Sequence, residues 1–350
     1  MQKKLDHLQI FRGIAATMVV LYHIERSTEI YYHTTLLNNL FGFGWLGVDG
    51  FFVLSGFIMV YVHYHDLMQR KNVKSFYIKR FIRIYPIYWI IAIIYLFIKL
   101  YFGGLTFQKD FFYILKSFLL FPQKNYPFLF PAWSLVYECF FYLLFGFCIF
   151  LGYRISKYVL LIWLISILII QNSSNPFSNL IFFSPMNIEF IMGCTIGYLF
   201  HIRQDGLKKW AAWILRFGIL GFIIAVIAGM NIFHTDGMRH TMVVCLVFGT
   251  CSALIILGAA LKNSVKTRAF PSPLLLMGES SYTIYLSHQI MIDLIYIPAF
   301  NHFPNLNYAT LLIIGTLTAV LSILLGILLH KTVEKNLLHL LHKRFVPVKI

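Results

Sequence analysis

Charged side chains are scarce in this chain. Asp, Glu, Lys and Arg make up 12% of its 350 residues, against about 25% in a soluble domain. Acid is scarcer still, with 13 Asp and Glu against 29 Lys and Arg. The shortage accompanies a hydrophobic content of 59% and a mean hydropathy of +0.75, with the apolar residues gathered in long blocks. That pattern excludes a single water-soluble core and predicts a membrane protein. Cysteine is sparse too. Cys139, Cys148, Cys194, Cys245 and Cys251 sit in apolar stretches without C-x-x-C spacing. This argues against a disulfide framework or a zinc site, and no metal is expected. No internal repeat or low-complexity linker is visible. The first apolar stretch contains Arg12 and His23 and has no small-residue cleavage site. It reads as a retained first span rather than a signal peptide.

What is present is aromatic and apolar. The 35 Phe and 21 Tyr suit lipid-facing and interfacial positions. Ten segments approach the length of about 20 mostly apolar residues that a spanning helix needs: 8–25, 44–64, 84–103, 131–152, 156–171, 183–202, 210–232, 240–261, 276–297 and 308–330. The stretch 111–121 is too short to span and is expected to form an interfacial or re-entrant helix. The predicted fold class is therefore an all-α polytopic membrane protein with about ten transmembrane helices. Residues 1–331 form the membrane domain and 332–350 a short basic tail. A net charge of +16 would suggest nucleic acid in a soluble protein. Here ten spans divide the Lys and Arg of loops and span ends 21 to 6, so the positive-inside rule explains the charge without nucleic acid. It places both termini in the cytoplasm and the chain in the cytoplasmic (inner) membrane.

Ionisable groups within spans are costly and are functional candidates by default. The candidates singled out are Arg12, His23, Asp49, Glu138, Glu189, Arg216, Glu279, His288 and Asp293. Arg12 and His23 are eleven steps apart, about three turns, so they share a helix face roughly 16 Å apart in rise. An imidazole there suits a general base reached from outside. It could equally be an interfacial His satisfied by water. In FYIKRFIRIYPIYW, Pro86 fits the first position of span three. Arg80 and Arg83 share a face if the segment is helical, with Lys79 beside them. They could grip the phosphates of a nucleotide-like cosubstrate, or be an ordinary basic cluster beside anionic lipid. In FPAWSLVYECFFYLLF, Pro131 starts a helix that sets Ser134 and Glu138 on one face. That carboxylate could orient His23 or bind a sugar hydroxyl. Ser281 and His288 of GESSYTIYLSHQI share a face, although no spacing supplies an acidic third member for an acyl-enzyme triad. Asp49 lies in the glycine-rich GWLGVDGFFVLSGF and could pair with Arg12 or His23.

Five blocks, HLQIFRGIAATMVVLYH, GWLGVDGFFVLSGF, YIKRFIRIYPIYW, PAWSLVYECFFYLLF and SYTIYLSH, fall in order between residues 7 and 288. With them the chain resembles membrane acyltransferase family 3, particularly its exopolysaccharide O-acetyltransferase branch. The resemblance implies that His23 is the essential catalytic residue, paired with Arg12 in an Arg-x10-His motif. It implies that Arg80 and Arg83 handle the acyl donor from the cytoplasm. Trp133, Ser134 and Glu138 match the family's Trp-Ser-Leu-x-x-Glu motif, and Ser281, Tyr282 and His288 its late block. The last span departs from the family's Val-Glu-x-Pro-like ending, reading Val333-Glu334-Lys335-Asn336, which weakens the carry-over at Glu334. Many relatives add a C-terminal esterase-like domain. None follows within 350 residues, so the expectation is transfer without a fused second domain.

The expected function is transfer of an acyl group, acetyl in the commonest case, from cytoplasmic acetyl-CoA as cosubstrate. The acceptor is a hydroxyl of an exported or cell-surface glycan such as an exopolysaccharide or lipopolysaccharide. His23 is the general base, and Glu138 or Asp49 orients it. Two rivals are a transporter or flippase for a lipid-linked sugar or acyl group, and a non-catalytic subunit of polysaccharide export.

Overall fold

A computed structural model describes residues 5–66, 72–171, 180–229, 241–265 and 270–345. Lys3, Lys4, Arg70, Lys71, Arg239, Lys266, Arg268 and Lys349, which enter the loop count, lie outside these residues. So do positions 230–232 and 240 of two predicted spans and the end of the tail. Among the described residues there are thirteen α-helices and no strand. They are α1 (Asp6–Tyr32), α2 (Leu46–His63), α3 (Val73–Tyr101), α4 (Phe107–Phe118), α5 (Trp133–Leu151), α6 (Tyr153–Gln171) and α7 (Asn187–Leu207). After them come α8 (Ala211–Gly229), α9 (Met242–Val265), α10 (Ser272–Glu279), α11 (Ser281–His302), α12 (Tyr308–Leu329) and α13 (Lys335–Phe345). A helix lies over each of the ten segments chosen from sequence. Seven stretches are long and apolar enough to cross a membrane. One of them, Asn187–Gly229, runs through both α7 and α8. The chain is an all-helical, polytopic membrane protein.

One boundary differs in kind from the sequence reading. Pro86 does not open a helix: α3 begins at Val73 and carries Pro86 in its interior. Proline removes one backbone donor, but within a packed membrane helix neighbours re-satisfy the freed groups and the helix continues. Pro131 behaves as expected, at the start of a 3-10 turn (Phe130–Ala132) that leads into α5.

The chain divides into two compact units, with boundaries inside α1, α3, α5 and α10 and one at the start of α2. The first comprises residues 1–11, 46–77 and 140–275. Its core packs Val53, Leu54 and Phe57 of α2 with Phe200 of α7 and Ile256, Leu257, Ala260 and Leu261 of α9. Here α2 and α7 cross backbone to backbone. A Cβ on Gly193 would lie 2.8 Å from the Gly56 Cα, and one on Gly56 would meet the Phe190 carbonyl. Small residues permit such approach, and dispersion at close range is what holds membrane helices together. Gly56→Ala is therefore expected to destabilise this unit by about 3 kcal/mol, seen as a lowered melting temperature in detergent. An unchanged melt would mean the crossing can open without cost.

The second unit comprises residues 12–45, 78–139 and 276–350. In it α1, α3 and α11 run side by side in the same sense. Thr28 of α1 bonds Tyr296 of α11 at 2.8 Å, and Tyr282 of α11 donates to the Ile84 carbonyl of α3 at 3.0 Å. Helix α4 turns back along α3. Its last carbonyls accept from α3 side chains: Ser117 from Tyr88 (2.6 Å), Phe118 from Trp89 (2.9 Å) and Leu119 from Tyr85 (3.1 Å). A helix C-terminus leaves carbonyls without intrahelical partners, and these three aromatic donors supply them. Trp89 lies twelve residues before the end of α3, about 18 Å back along it, which is also the length of α4. The chain thus doubles back beside α3 over the length of α4. The returning chain is tied to α4 through Ser117 Oγ, which accepts from Gln123 (3.1 Å) and from the Phe128 amide (3.3 Å). Irregular backbone at membrane depth survives only when satisfied in this way.

Candidate active site

The second unit carries the polar groups in successive tiers along α1, α3 and α11. At one end lies Arg83 of α3. Its Nη1 donates to Glu334 Oε1 at 2.6 Å, and His330 Nδ1 meets Glu334 Oε2 at 2.7 Å. Glu334 is fully buried, whereas the Arg83 side chain keeps 32% exposure. The guanidinium also sits over the Tyr282 ring, 5.2 Å from its centroid, and the charge of Arg12 acts on the same Glu334 carboxylate through space. A π-helical turn, His330–Glu334, joins α12 to α13 and presents both side chains. Such turns recur at functional sites.

The second tier holds two imidazoles. His23 of α1 and His288 of α11 pack with ring centroids 5.0 Å apart and planes inclined by 31°. His23 is half-buried and His288 wholly buried. Tyr22 (4.9 Å) and Phe130 (5.5 Å) complete an aromatic collar around His23. Phe130 belongs to the turn that the returning chain delivers, and that turn is anchored to α11. Tyr285 donates to the Pro131 carbonyl at 2.9 Å, and Ser134 Oγ lies 2.7 Å from the Tyr285 hydroxyl. An imidazole held by rings on three sides, with part of its surface open, is fixed in orientation and able to take or give a proton.

The predicted site residues fall as follows. His23 and His288 come together, as do Arg83 and Tyr282, and Ser134 joins Tyr285. Arg80 and Arg83 both lie on α3, and Lys79, Arg80 and Arg12 are half-buried. Ser281 is buried on α11. Trp133 is half-buried against Tyr137, with ring centroids 6.0 Å apart. Glu138 is also half-buried, and its charge bears on Tyr282 and Tyr285. Asp49 belongs to the first unit, where its charge bears on Glu189 and Cys245 amid α2, α7 and α9. Sequence reasoning discounted Glu334 for want of a proline and gave no role to His330. The signal available was their i, i+4 spacing at the end of the last span. Tyr285 was legible as the residue one turn before His288.

A sequence profile described as an acyltransferase domain, that of acyltransferase family 3, matches residues 5–330. The chain belongs to acyltransferase family 3. Among family relatives, the O-acetyltransferase OatA of Staphylococcus aureus (strain NCTC 8325 / PS 47) is 26% identical over 316 residues, covering 81% of this chain and 50% of OatA. The chain thus spans about half the length of that relative. The exopolysaccharide production protein ExoZ of Rhizobium meliloti (strain 1021) is 27% identical over 269 residues, covering 73% of this chain and 78% of ExoZ. No solved structure matches. The acyltransferase domain takes in His23, Arg83, Ser134 and His288, and its last matched residue is His330 of the π turn.

In this family 3 chain Tyr285 links α11 to the turn bearing Phe130. Tyr285→Phe removes that donor inside a buried network, and the expected cost is about 1 kcal/mol of stability. Transfer should fall by less than about tenfold, because one bond of this size is all that is lost. Thermal melts beside acyl-transfer assays of the pure protein check both. A complete loss of transfer in a protein with a wild-type melt would give Tyr285 a direct chemical part instead.

Proposed function

We propose that this chain is a membrane O-acyltransferase. It moves an acetyl group from cytoplasmic acetyl-CoA to a hydroxyl of a glycan on the opposite side of the membrane. In this reading the chain crosses the membrane ten times, with both termini in the cytoplasm. The observation that carries the reading is the half-open His23 ring packed on His288, on α1 and α11, which run beside the α3 helix that bears Arg83. With the N-terminus inside, Arg12 and Arg83 lie toward the cytoplasm, where donor phosphates arrive. His23 lies farther across. The 21 to 6 division of basic residues supports this orientation, and the O-acetyltransferase and exopolysaccharide names of the two relatives support the chemistry.

In the reaction, His23 accepts the proton of the glycan hydroxyl as its oxygen attacks the thioester carbonyl. The tetrahedral intermediate collapses with cleavage of the C–S bond. The thiolate of CoA then takes the proton back from the His23 imidazolium, giving an ester, CoA thiol and the neutral base. Arg83, held by Glu334 with part of its guanidinium still open, meets a donor phosphate. Phe130 and Tyr22 hold the imidazole plane.

The test uses membrane vesicles carrying the chain, with acetyl-labelled CoA supplied only on the cytoplasmic face. Alkali-labile label should appear in glycan on the other face. Glycan that crosses the membrane unlabelled would establish the transporter reading instead.

A further inference from the structure

Beyond the two imidazoles, at the end of the helices away from Arg83, lies a third polar tier. Asp293 of α11 is only 5% exposed. Its Oδ2 accepts from the Tyr95 hydroxyl of α3 at 2.6 Å and pairs with Lys99 Nζ at 2.8 Å, and its Oδ1 accepts from Gln289 Nε2 at 2.8 Å. Tyr31 of α1 lies within electrostatic reach of the same carboxylate. Lys99 keeps 28% exposure and also lies over the Tyr95 ring at 5.3 Å. Sequence reading counted Asp293 among the costly charges but gave it no part.

A structural fastening explains this tier poorly. Two other ties in the unit are neutral: Thr28 to Tyr296 at 2.8 Å, and Thr283 to the Gly326 carbonyl at 2.7 Å. Such ties avoid the cost of desolvating a carboxylate and an ammonium in a membrane protein. The Tyr95 bond alone would hold α3 to α11. The additional groups bring unused capacity. An ammonium has three donors and a carboxylate about four acceptor sites, and the Gln289 amide has an oxygen besides its donor nitrogen. A partly open set of charged donor, carboxylate and amide suits the hydroxyl groups of a sugar, each of which both gives and accepts a hydrogen bond. Position agrees. Asp293 is five residues past His288, about 7.5 Å along α11, while Tyr282 beside Arg83 is six residues before it, about 9 Å in the other direction. The imidazoles thus lie between a cationic tier and a hydroxyl-binding tier.

We infer that Lys99, Gln289 and Asp293 form the acceptor subsite, holding hydroxyls of the glycan next to the one that is acylated. The inference rests on the acyl-transfer reading above. It makes Lys99 and Gln289 specificity-determining residues rather than proton carriers.

The experiment is steady-state kinetics with purified wild type, Lys99→Met, Lys99→Arg, Gln289→Leu and Asp293→Asn. The donor is acetyl-CoA. The acceptor is the unacylated surface polysaccharide extracted from a strain deleted for this chain. Lys99→Met and Gln289→Leu should each raise the acceptor KM about tenfold, the worth of one hydrogen bond to substrate, with the donor KM within about twofold of wild type. Lys99→Arg should keep the acceptor KM near wild type, and Asp293→Asn should raise it without losing the folded protein. If wild type acylates the polysaccharide and the variants keep its acceptor KM, or raise the donor KM equally, the subsite is overturned while the acyl-transfer reading stands. If wild type transfers nothing to it, both fall together.

Discussion

His23→Ala is expected to abolish glycan acylation while leaving a folded protein that still binds acetyl-CoA. General-base catalysis by a positioned side chain contributes about 10²–10⁴-fold. The neighbouring imidazole, His288, is wholly buried and is not open as His23 is. The substitution shortens a half-buried ring and leaves the Arg83–Glu334 tier, one end of the unit away, intact. Donor affinity measured in detergent should therefore hold within about twofold, while acetyl ester on cell-surface glycan, read by mass spectrometry, disappears. Because a truncated ring leaves a gap beside Tyr22 and Phe130, His23→Gln serves as the better-filled control. It should be equally inactive with a melt closer to wild type. Acylation that survives both substitutions would remove His23 from the chemistry and return the transporter and assembly readings to the front.

The second large effect lies at Arg83. With Arg83 meeting a donor phosphate as proposed, Arg83→Ala should cost a charge-assisted contact worth about 1.5–3 kcal/mol, and the dissociation constant for acetyl-CoA should rise roughly tenfold to a hundredfold. It also strips the guanidinium from Glu334, which has no solvent exposure. Removing one partner of a buried pair commonly costs 3–5 kcal/mol. Here Arg83 is one-third exposed and His330 remains on the other oxygen, so a loss of about 2 kcal/mol is expected after solvent screening is discounted. The double variant Arg83→Ala, Glu334→Gln separates the two effects. Neutralising the stranded carboxylate should recover stability above that of Arg83→Ala alone, with donor affinity still lost. If the two substitutions were simply additive in stability, Glu334 would not depend on Arg83, and its role as the holder of that guanidinium would fail.

Much of this was legible in the residues. Apolar run length located a helix over every expected span, because a backbone in lipid has few alternatives. The eleven-residue spacing of Arg12 and His23 put both on one side of α1, and the structure sets each beside a polar group of its own unit. What the sequence could not carry was partnership. His288 is remote from His23 in the chain, and only the packing of α1 on α11 makes them neighbours. Glu334 was discounted for a missing proline, yet its role depends on the turn that aims it. Pro86 read as a helix start because proline usually marks one, whereas tertiary packing kept α3 intact through it. The direction of α4 was equally hidden: a twelve-residue amphipathic stretch does not say which helix will supply donors to its last carbonyls.

The π turn at His330–Glu334 holds five residues, and a turn of this kind contains one residue more than an ordinary helical turn. It therefore takes up one residue without changing the phase of the helix. Deleting one of Lys331, Thr332 or Val333 would let the helix close as an ordinary α turn, and everything beyond it would keep nearly its present orientation. Glu334 would stay near the Arg83 guanidinium, and the basic end of α13, with His342, Lys343 and Arg344, would keep its facing. The chain can thus lose a single residue at this turn, where a regular stretch of α12 could not.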